Sequence, residues 1–457
     1  MISQPAWARD AIGRPDVLAV PIPRPRALRR LLIVAPHFPP VNAPDMHRVR
    51  MSLPHYRAFG WDPIVLTVNA ATQPESVDAL LAATLPADIR IVRTGALPLA
   101  LTKRIGIGNV GIRAFAHLAL AGRRIIRKAD IDLVFFSTTM FMCMPLGRVW
   151  RRSTGTPFVL DLQDPWASDY DPRPGMAPPK YGLARRLHAR LEPWTLKRAS
   201  GIVAVSPAYV ETIQRRYPWI ADEVCATIPF GVAAEDFAAA AGVEPAVRSE
   251  PGRLTGVYVG AGGPAMATAL RILFAAVRRL RAIDLTLAAR LRLAFIGTDY
   301  APPGRGRKTV EPLAAEAGVS AQVSEQTDRI GYFAALQTMR TADFVLVIGS
   351  DDAQYTASKV APCLAAMRPV VAILHADSPG AALLARSDQT TLVTFRDDGD
   401  VERASGELAL AFPRVAQLVG HELDDDSALL EPYTARALTA AQCALFDRVL
   451  RREAKEA

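Results

Sequence analysis

The stretch Gly349–Leu374, GSDDAQYTASKVAPCLAAMRPVVAIL, decides the fold. Val360, Cys363, Leu364 and Met367 recur at i, i+3, i+4 and i+7, the spacing of one helical face. Pro369 ends that helix, and Val370–Leu374 reads as an inner strand of a parallel sheet. The helix opens at Ser358, with Lys359 in its first turn. A helix N-terminus presents free N–H groups and the positive end of its dipole. A lysine is unfavourable there by itself, so Lys359 points to a bound anion, and a phosphate fits that need. Pro362 has no N–H to give the carbonyl of Ser358, so the helix starts near Ser358 or kinks there.

Outward from this segment, apolar runs alternate with helical patterns in two series. Leu31–Pro36, Pro63–Val68, Ile89–Val92, Leu133–Ser137, Phe158–Leu162 and Ile202–Val205 read as strands of the first series. Helical patterns over Arg113–Lys128 and Leu183–Arg198 lie between them. Thr255–Val259, Arg292–Ile296, Phe344–Ile348 and Val370–Leu374 read as strands of the second, with helices at 267–281, 310–317, 332–340 and 358 onward. Such alternation predicts parallel sheets covered by helices on both faces. The expected architecture is α/β, two doubly wound Rossmann-like domains facing a central cleft. Its parts are an N-terminal tail (1–27), a first domain (28–238), a linker (239–253), a second domain (254–430) and a C-terminal helix (431–457) crossing back to the first domain. The Ala-, Gly- and Pro-rich composition of 237–253 suggests the linker.

The chain has 457 residues, 50% of them apolar and 22% charged, an ordinary globular balance. Its net charge of +9 points to an anionic partner, either a nucleotide or an acidic membrane surface. Arg123–Lys128 and Arg185–Arg190 interleave cations with apolar residues at helical spacing, as surface helices or membrane-surface patches do. No aromatic-interleaved basic strand suggests nucleic acid. The four cysteines are scattered and fit buried, reduced thiols. No apolar leader or spanning run stands out, so the expectation is a cytoplasmic protein, with peripheral contact at the inner face of an anionic membrane left open.

Ligands of open α/β sheets bind beyond the carboxyl ends of strands. In this chain those ends are polar. The first carries His37, Pro39 and Asn42, followed by Asp45, His47, Arg48 and Arg50, a set suited to an anionic acceptor or to lining a cleft. The strand Phe158–Leu162 runs into Gln163 and Asp164, a position for hydroxyl binding or proton handling. Gly260, Gly262 and Gly263 follow the first strand of the second series, where glycines let backbone N–H groups approach a pyrophosphate. The loop GAGGPA lacks the third glycine of the dinucleotide fingerprint. Gly297, Thr298 and Asp299 end the next strand and lead into a basic loop at 302–308.

Taken in order, LLIVAPHFPP, PFVLDLQDPW, RASGIVAVSPAYVETI, IPFGVAAEDF, VYVGAGGP, YTASKVAPCLAAMRPVVAIL and PYTARALTAAQCALFDRVL resemble the nucleotide-sugar-dependent, retaining glycosyltransferases of the GT-B fold. The resemblance implies transfer of a sugar from a nucleotide diphosphate sugar to a hydroxyl acceptor such as a polysaccharide or glycolipid, lipid-linked acceptors included, without metal or cofactor. It implies donor contacts at Gly260, Gly262, Gly263, Gly297, Thr298, Asp299, Tyr355, Thr356, Ser358 and Lys359. Acceptor contacts fall at His37, Pro39, Asn42, His47, Arg48 and Gln163, and catalytic roles at Asp164 and Lys359. The chain departs from the family where two glutamates eight positions apart are replaced by Gln354 and Pro362, and where the glycine near the helix end is Met367. No arginine–lysine pair follows the first strand of the second domain. These departures leave two alternatives: a GT-B-like binding or scaffold protein without transfer activity, and another two-domain nucleotide-sugar enzyme such as an epimerase.

Overall fold

The structure is a computed structural model that describes residues 28–167, 179–301, 303–352, 359–421, 423 and 426–456. The expected tail at 1–27 and the residues Gln354, Tyr355, Thr356 and Ser358 lie outside the described residues. The chain divides into two compact units, one of residues 28–230 completed by 435–456, the other of residues 231–434.

The first unit is built on seven parallel strands: β1 (Arg29–Val34), β2 (Trp61–Val68), β3 (Arg90–Thr94), β4 (Leu133–Ser137), β5 (Phe158–Leu162), β6 (Gly201–Ala204) and β7 (Cys225–Thr227). Their spatial order is β3-β2-β1-β4-β5-β6-β7, so the winding reverses between β1 and β4. The inner strands β1, β2, β4, β5 and β6 are buried on both faces, which is why they read as largely apolar runs rather than as alternation. Leu32, Val34, Val134 and Phe136 point to one face, under the Phe115–Lys128 and Pro145–Thr154 helices. Leu31, Ile33, Leu133 and Phe135 point to the other, under the His47–Ser52 helix and the terminal Ala435–Glu456 helix. Gly122 is needed where it stands, because the indole of Trp150 occupies the space of a Cβ.

The second unit has six parallel strands: β8 (Leu254–Val259), β9 (Leu291–Ile296), β10 (Val323–Gln326), β11 (Phe344–Ile348), β12 (Val370–His375) and β13 (Thr390–Phe395). Their order is β10-β9-β8-β11-β12-β13, with the reversal between β8 and β11. Both units are therefore doubly wound and Rossmann-like.

Differences from the sequence expectation fall at edges and ends. Strands β7, β10 and β13 were not foreseen. β7 and β10 are short and largely polar or small, and β13 alternates as a half-covered edge strand does. The proposed linker at 239–253 begins inside a helix, Ala234–Ala240, that packs on the second unit: Tyr332 donates to Asp236 at 2.9 Å. The residues beyond that helix are held too, since Thr338 Oγ1 accepts the Ala246 N–H at 2.9 Å. The helix of the deciding segment is only Val360–Ala365, with Lys359 as its N-cap. Pro362 therefore occupies the third helical position, where no backbone N–H has an intrahelical acceptor, and its missing donor costs nothing.

Candidate functional site

In the second unit the carboxyl ends of β8 and β11 flank the switch point, and two groups named separately in the sequence come together there. Gly260 follows β8 with φ +154°, and a Cβ on it would overlap the Nζ and Cε of Lys359. The lysine thus runs through a notch that only glycine leaves open. Its ammonium lies 5.5 Å from the ring centroid of Tyr258, whose hydroxyl donates to the Ala261 carbonyl at 2.8 Å. Burial, joined by the charge of Arg329, pulls the Lys359 amine below the ordinary lysine range. Among the described residues, no carboxylate pairs with Lys359 or with Arg329, whose guanidinium lies over Tyr300. The loop between β10 and the Tyr332–Thr341 helix thereby supplies a cation that the glycine loop lacks.

The other residues expected on this side have structural partners. Gly262 donates its N–H to the Thr298 carbonyl at 2.8 Å, tying the loops after β8 and β9 together. Gly263 adopts φ +127° as the chain turns into a short 3-10 segment, and Gly297 adopts φ +74°. The Thr298 hydroxyl is spent on Glu325, at 2.6 Å. That buried glutamate also accepts the N–H groups of Thr309, Val310 and Glu311 at 2.9–3.1 Å, capping the Val310–Glu316 helix. Asp299 organises the loop that follows it. Its carboxylate accepts from the N–H groups of Arg307 (2.7 Å) and Ala301 (3.0 Å), and those bonds hold its carboxyl low. The basic loop is pinned further by Gly304, which donates to Asp328 at 2.9 Å.

Sequence reasoning overlooked Glu325 and the end of β12, where His375 is followed by Asp377 and by Ser378, the N-cap of the Pro379–Leu384 helix. Glu325 sits in the polar run VSEQTD that no apolar pattern marked, whereas HADS after VVAIL was a readable strand end. Asp351, in the acidic turn that opens the deciding segment, lies near Thr268 and Arg271 at the start of the Ala267–Ile283 helix.

In the first unit the ends of β1, β4 and β5 converge on a buried polar network. His37 Nδ1 and Asp45 Oδ1 are 2.8 Å apart. Burial opposes charging His37, but the Asp45 carboxylate outweighs it and raises the imidazole; His37 in turn holds Asp45 low against its own burial. Asp45 Oδ2 also accepts from Thr138 Oγ1 (2.8 Å) and the Thr139 N–H (3.1 Å). A second carboxylate, Asp161, is 0% exposed. It accepts from Ser137 (2.6 Å) and Gln163 (3.2 Å) and faces Arg48 Nε at 2.9 Å. Burial pushes its carboxyl up, with Arg48 opposing.

This geometry gives two of the expected acceptor residues structural partners. The Arg48 guanidinium is spent on Asp161 and on the carbonyls of Ile228 (2.8 Å) and Pro229 (3.2 Å). Gln163, 3% exposed, bridges Asp161 to the Asp45 carbonyl at 3.0 Å. Pro39 and Asn42 are buried as well: the Pro39 carbonyl accepts from Arg93 at 2.9 Å, and Asn42 donates its N–H to Ser76 at 2.8 Å. His47 is half-buried beside them. Asp164 differs. It is exposed beyond β5, its carboxyl raised by partial desolvation and then by the nearby Asp45 charge. Trp166, two residues on, stacks on Phe141 at 5.6 Å between centroids. Ser137 and Thr138 were also overlooked, although a polar SerThrThr run after a Phe-Phe strand marks a strand end. Among the described residues no group of three or more His, Cys, Asp or Glu side chains is placed to hold a metal ion.

Two doubly wound units with polar loops at the carboxyl edges define the GT-B class, and known structures agree. Sucrose-phosphate synthase from Thermosynechococcus elongatus matches at a TM-score of 0.61 and 14% identity, over 93% of this chain and 100% of that one. An alpha,alpha-trehalose-phosphate synthase (UDP-forming) from Burkholderia xenovorans, in complex with glucose-6-phosphate, matches at 0.58 and 13%, over 91% and 100%. Anabaena HepE in complex with UDP-glucose matches at 0.51 and 13%, over 88% and 98%. At these identities the likeness speaks for the fold. No curated protein matches the chain. Residues 47–231 match the glycosyl transferase 4-like domain family. The chain thus has the fold of the GT-B glycosyltransferases, and its first unit carries the match to the glycosyl transferase 4-like domain.

Proposed function

We propose that the protein transfers a sugar from a nucleoside diphosphate sugar to a hydroxyl of a polysaccharide or glycolipid acceptor, with retention and without a metal ion. The observation that carries this is the ammonium of Lys359, seated in the notch at Gly260 and without a carboxylate partner among the described residues. A buried cation in want of a counter-charge, beside a glycine loop at a sheet switch point, suits the diphosphate that departs during transfer. Stabilising that leaving group electrostatically is usually the largest catalytic contribution. Arg329 adds a second positive charge on the same side. UDP-glucose bound to HepE, one of the structural neighbours, supports a nucleotide sugar as the donor class. Retention and metal independence rest on the family resemblance.

Asp164 is the exposed carboxylate of the first unit's strand ends, and its role is to orient the reacting sugar or the acceptor hydroxyl. Titration calorimetry with nucleoside diphosphates, paired with a transfer assay, tests both assignments. Lys359→Ala should weaken diphosphate binding by at least about tenfold, as expected for a charge-assisted contact. Asp164→Asn should keep the affinity and lose turnover. Unchanged affinity in the lysine variant for every nucleoside diphosphate would remove Lys359 from the site.

A further inference from the structure

We propose that the outer helical face of the first unit docks the protein on an anionic lipid surface. Between residues 89 and 160 the sequence holds twelve Lys and Arg against two acids, Asp130 and Asp132, an excess of ten where the whole chain's excess is nine. The positive charge of the molecule is thus concentrated in one part of one unit. Fold topology concentrates it further. The Phe115–Lys128, Pro145–Thr154 and Pro179–Leu196 helices pack in sequence, first against second and second against third, and share one core beneath the sheet face of Leu32 and Phe136. Arg148 fastens the last two, with its guanidinium 4.3 Å from the Trp194 ring.

The Phe115–Lys128 helix buries Leu118, Gly122, Ile125 and Ile126, so Leu120, Arg123, Arg124, Arg127 and Lys128 face outward. Arg152 and Arg186 are exposed on the neighbouring helices. Among the described residues none of these six cations is paired with a carboxylate. In the second unit several exposed arginines do have carboxylate partners: Arg271 with Asp398 (2.9 Å), Arg396 with Asp377 (2.6 Å) and Arg403 with Glu407 (3.0 Å). An unpaired basic face with almost no acids complements a surface of like negative charges.

Exposed apolar side chains stand on the same helices: Leu120 is 75% exposed, and Val149, Leu187 and Trp194 are exposed as well. Leu101 and Ile105, the latter 74% exposed beside Lys103 and Arg104, add to them on the short segments that follow β3. Nucleic-acid phosphates give no return on exposed leucine and isoleucine, whereas a headgroup–acyl boundary takes up both kinds of group. Among the described residues no helix is long and apolar enough to cross a membrane, so the contact is one of lying on the surface. Such a position would bring the first unit to an acceptor carried on lipid.

Flotation of the full-length protein with phosphatidylcholine vesicles, with and without phosphatidylglycerol, tests this. The expected result is co-flotation with the anionic vesicles alone, weakening as salt rises. Arg123→Glu, Arg124→Glu and Arg127→Glu together should lower the affinity on the order of a hundredfold with an unchanged melting temperature. Ile105→Ser with Leu120→Ser should weaken binding at constant charge. If the triple variant fails to fold, Arg152→Glu with Arg186→Glu gives the same readout on the neighbouring helices. Equal flotation of parent and charge-reversed protein overturns the proposal. So do equal binding to neutral vesicles, and salt-sensitive binding to RNA with none to vesicles. Lipid binding needs no nucleotide, so a protein that floats but binds no nucleotide sugar would refute the transfer reaction and leave the lipid surface intact.

Discussion

At Lys359 a positive charge is carried into protein without a negative one to meet it among the described residues, and that imbalance has a measurable consequence. Burial and the neighbouring Arg329 both favour the neutral amine, so the free protein releases this proton at lower pH than an ordinary lysine does. A bound diphosphate favours the ammonium and draws the proton back. Above about pH 7, where the phosphate is already ionised, the sign is fixed: affinity for a nucleoside diphosphate is full while Lys359 is protonated. It declines as pH rises through the lysine's depressed free-state value, by at most about tenfold per pH unit. Calorimetry across pH 7–10 should show that decline in the parent, and Lys359→Gln should show weaker binding with a flat profile over the same range. A parent profile as flat as the variant's would place the lysine away from the anion. Lys359 itself was legible in the sequence as a cation in an unfavourable place. Its seat was not, because the glycine that makes room for it stands about a hundred residues upstream, and no local pattern links Gly260 to Lys359.

The helix that Lys359 caps shows how far a short element departs from its own sequence rules. It has six residues, Val360–Ala365, and buries Val360, Ala361, Cys363, Leu364 and Ala365. Pro362 sits in its first turn without penalty, and the far end stops at Met367 in the left-handed region, with φ +54°. A glycine is the usual occupant of such a helix-ending position, because any Cβ there crowds the following carbonyl by roughly 1–2 kcal/mol. Met367 is only half-buried, so the packing of its side chain offsets just part of that strain. Met367→Gly should therefore stabilise the second unit by about 0.5–1 kcal/mol, and raise its melting temperature by roughly 2 °C. A fall in melting temperature would mean that side-chain packing outweighs the strain. The same scale explains what was readable of the fold. Inner strands such as Leu133–Ser137, Phe158–Leu162 and Phe344–Ile348 stand where their apolar runs placed them, because burial on both faces leaves no alternative composition. Edge strands β7, β10 and β13 have one open side, so their residues are chosen partly by solvent. The site followed the same division. Strand ends showed in the sequence as breaks from apolar to polar, but which polar groups turn inward, as Arg48 and Gln163 do, depends on Asp161 and Asp45 across the sheet edge.

For the whole molecule, chain order and unit membership differ, and stability should follow membership. The last helix, Ala435–Glu456, comes after the entire second unit yet completes the first. Phe446 is fully buried there, 5.4 Å from the Trp61 ring and 5.0 Å from that of Phe135. Gln442 accepts from the Tyr56 hydroxyl at 2.6 Å, and Arg29 meets Asp447 at 2.5 Å. The helix covers Leu31, Ile33, Leu133 and Phe135, and without it one face of the seven-stranded sheet would lose the apolar cover that Leu438, Leu445, Phe446 and Val449 supply. Phe446→Ala should then cost about 3–5 kcal/mol, the range for removing a buried aromatic ring, and the loss should fall on the first unit. A nucleoside diphosphate held at Lys359 should act on the second unit, raising its transition in proportion to ligand concentration over Kd. Scanning calorimetry with and without UDP distinguishes the two effects, because a chain of two units need not unfold in one step. The expected outcome for Phe446→Ala is a lowered first-unit transition beside a second-unit transition that still rises with UDP. Equal displacement of every transition by the substitution would mean that the units unfold as one, with the terminal helix stabilising both.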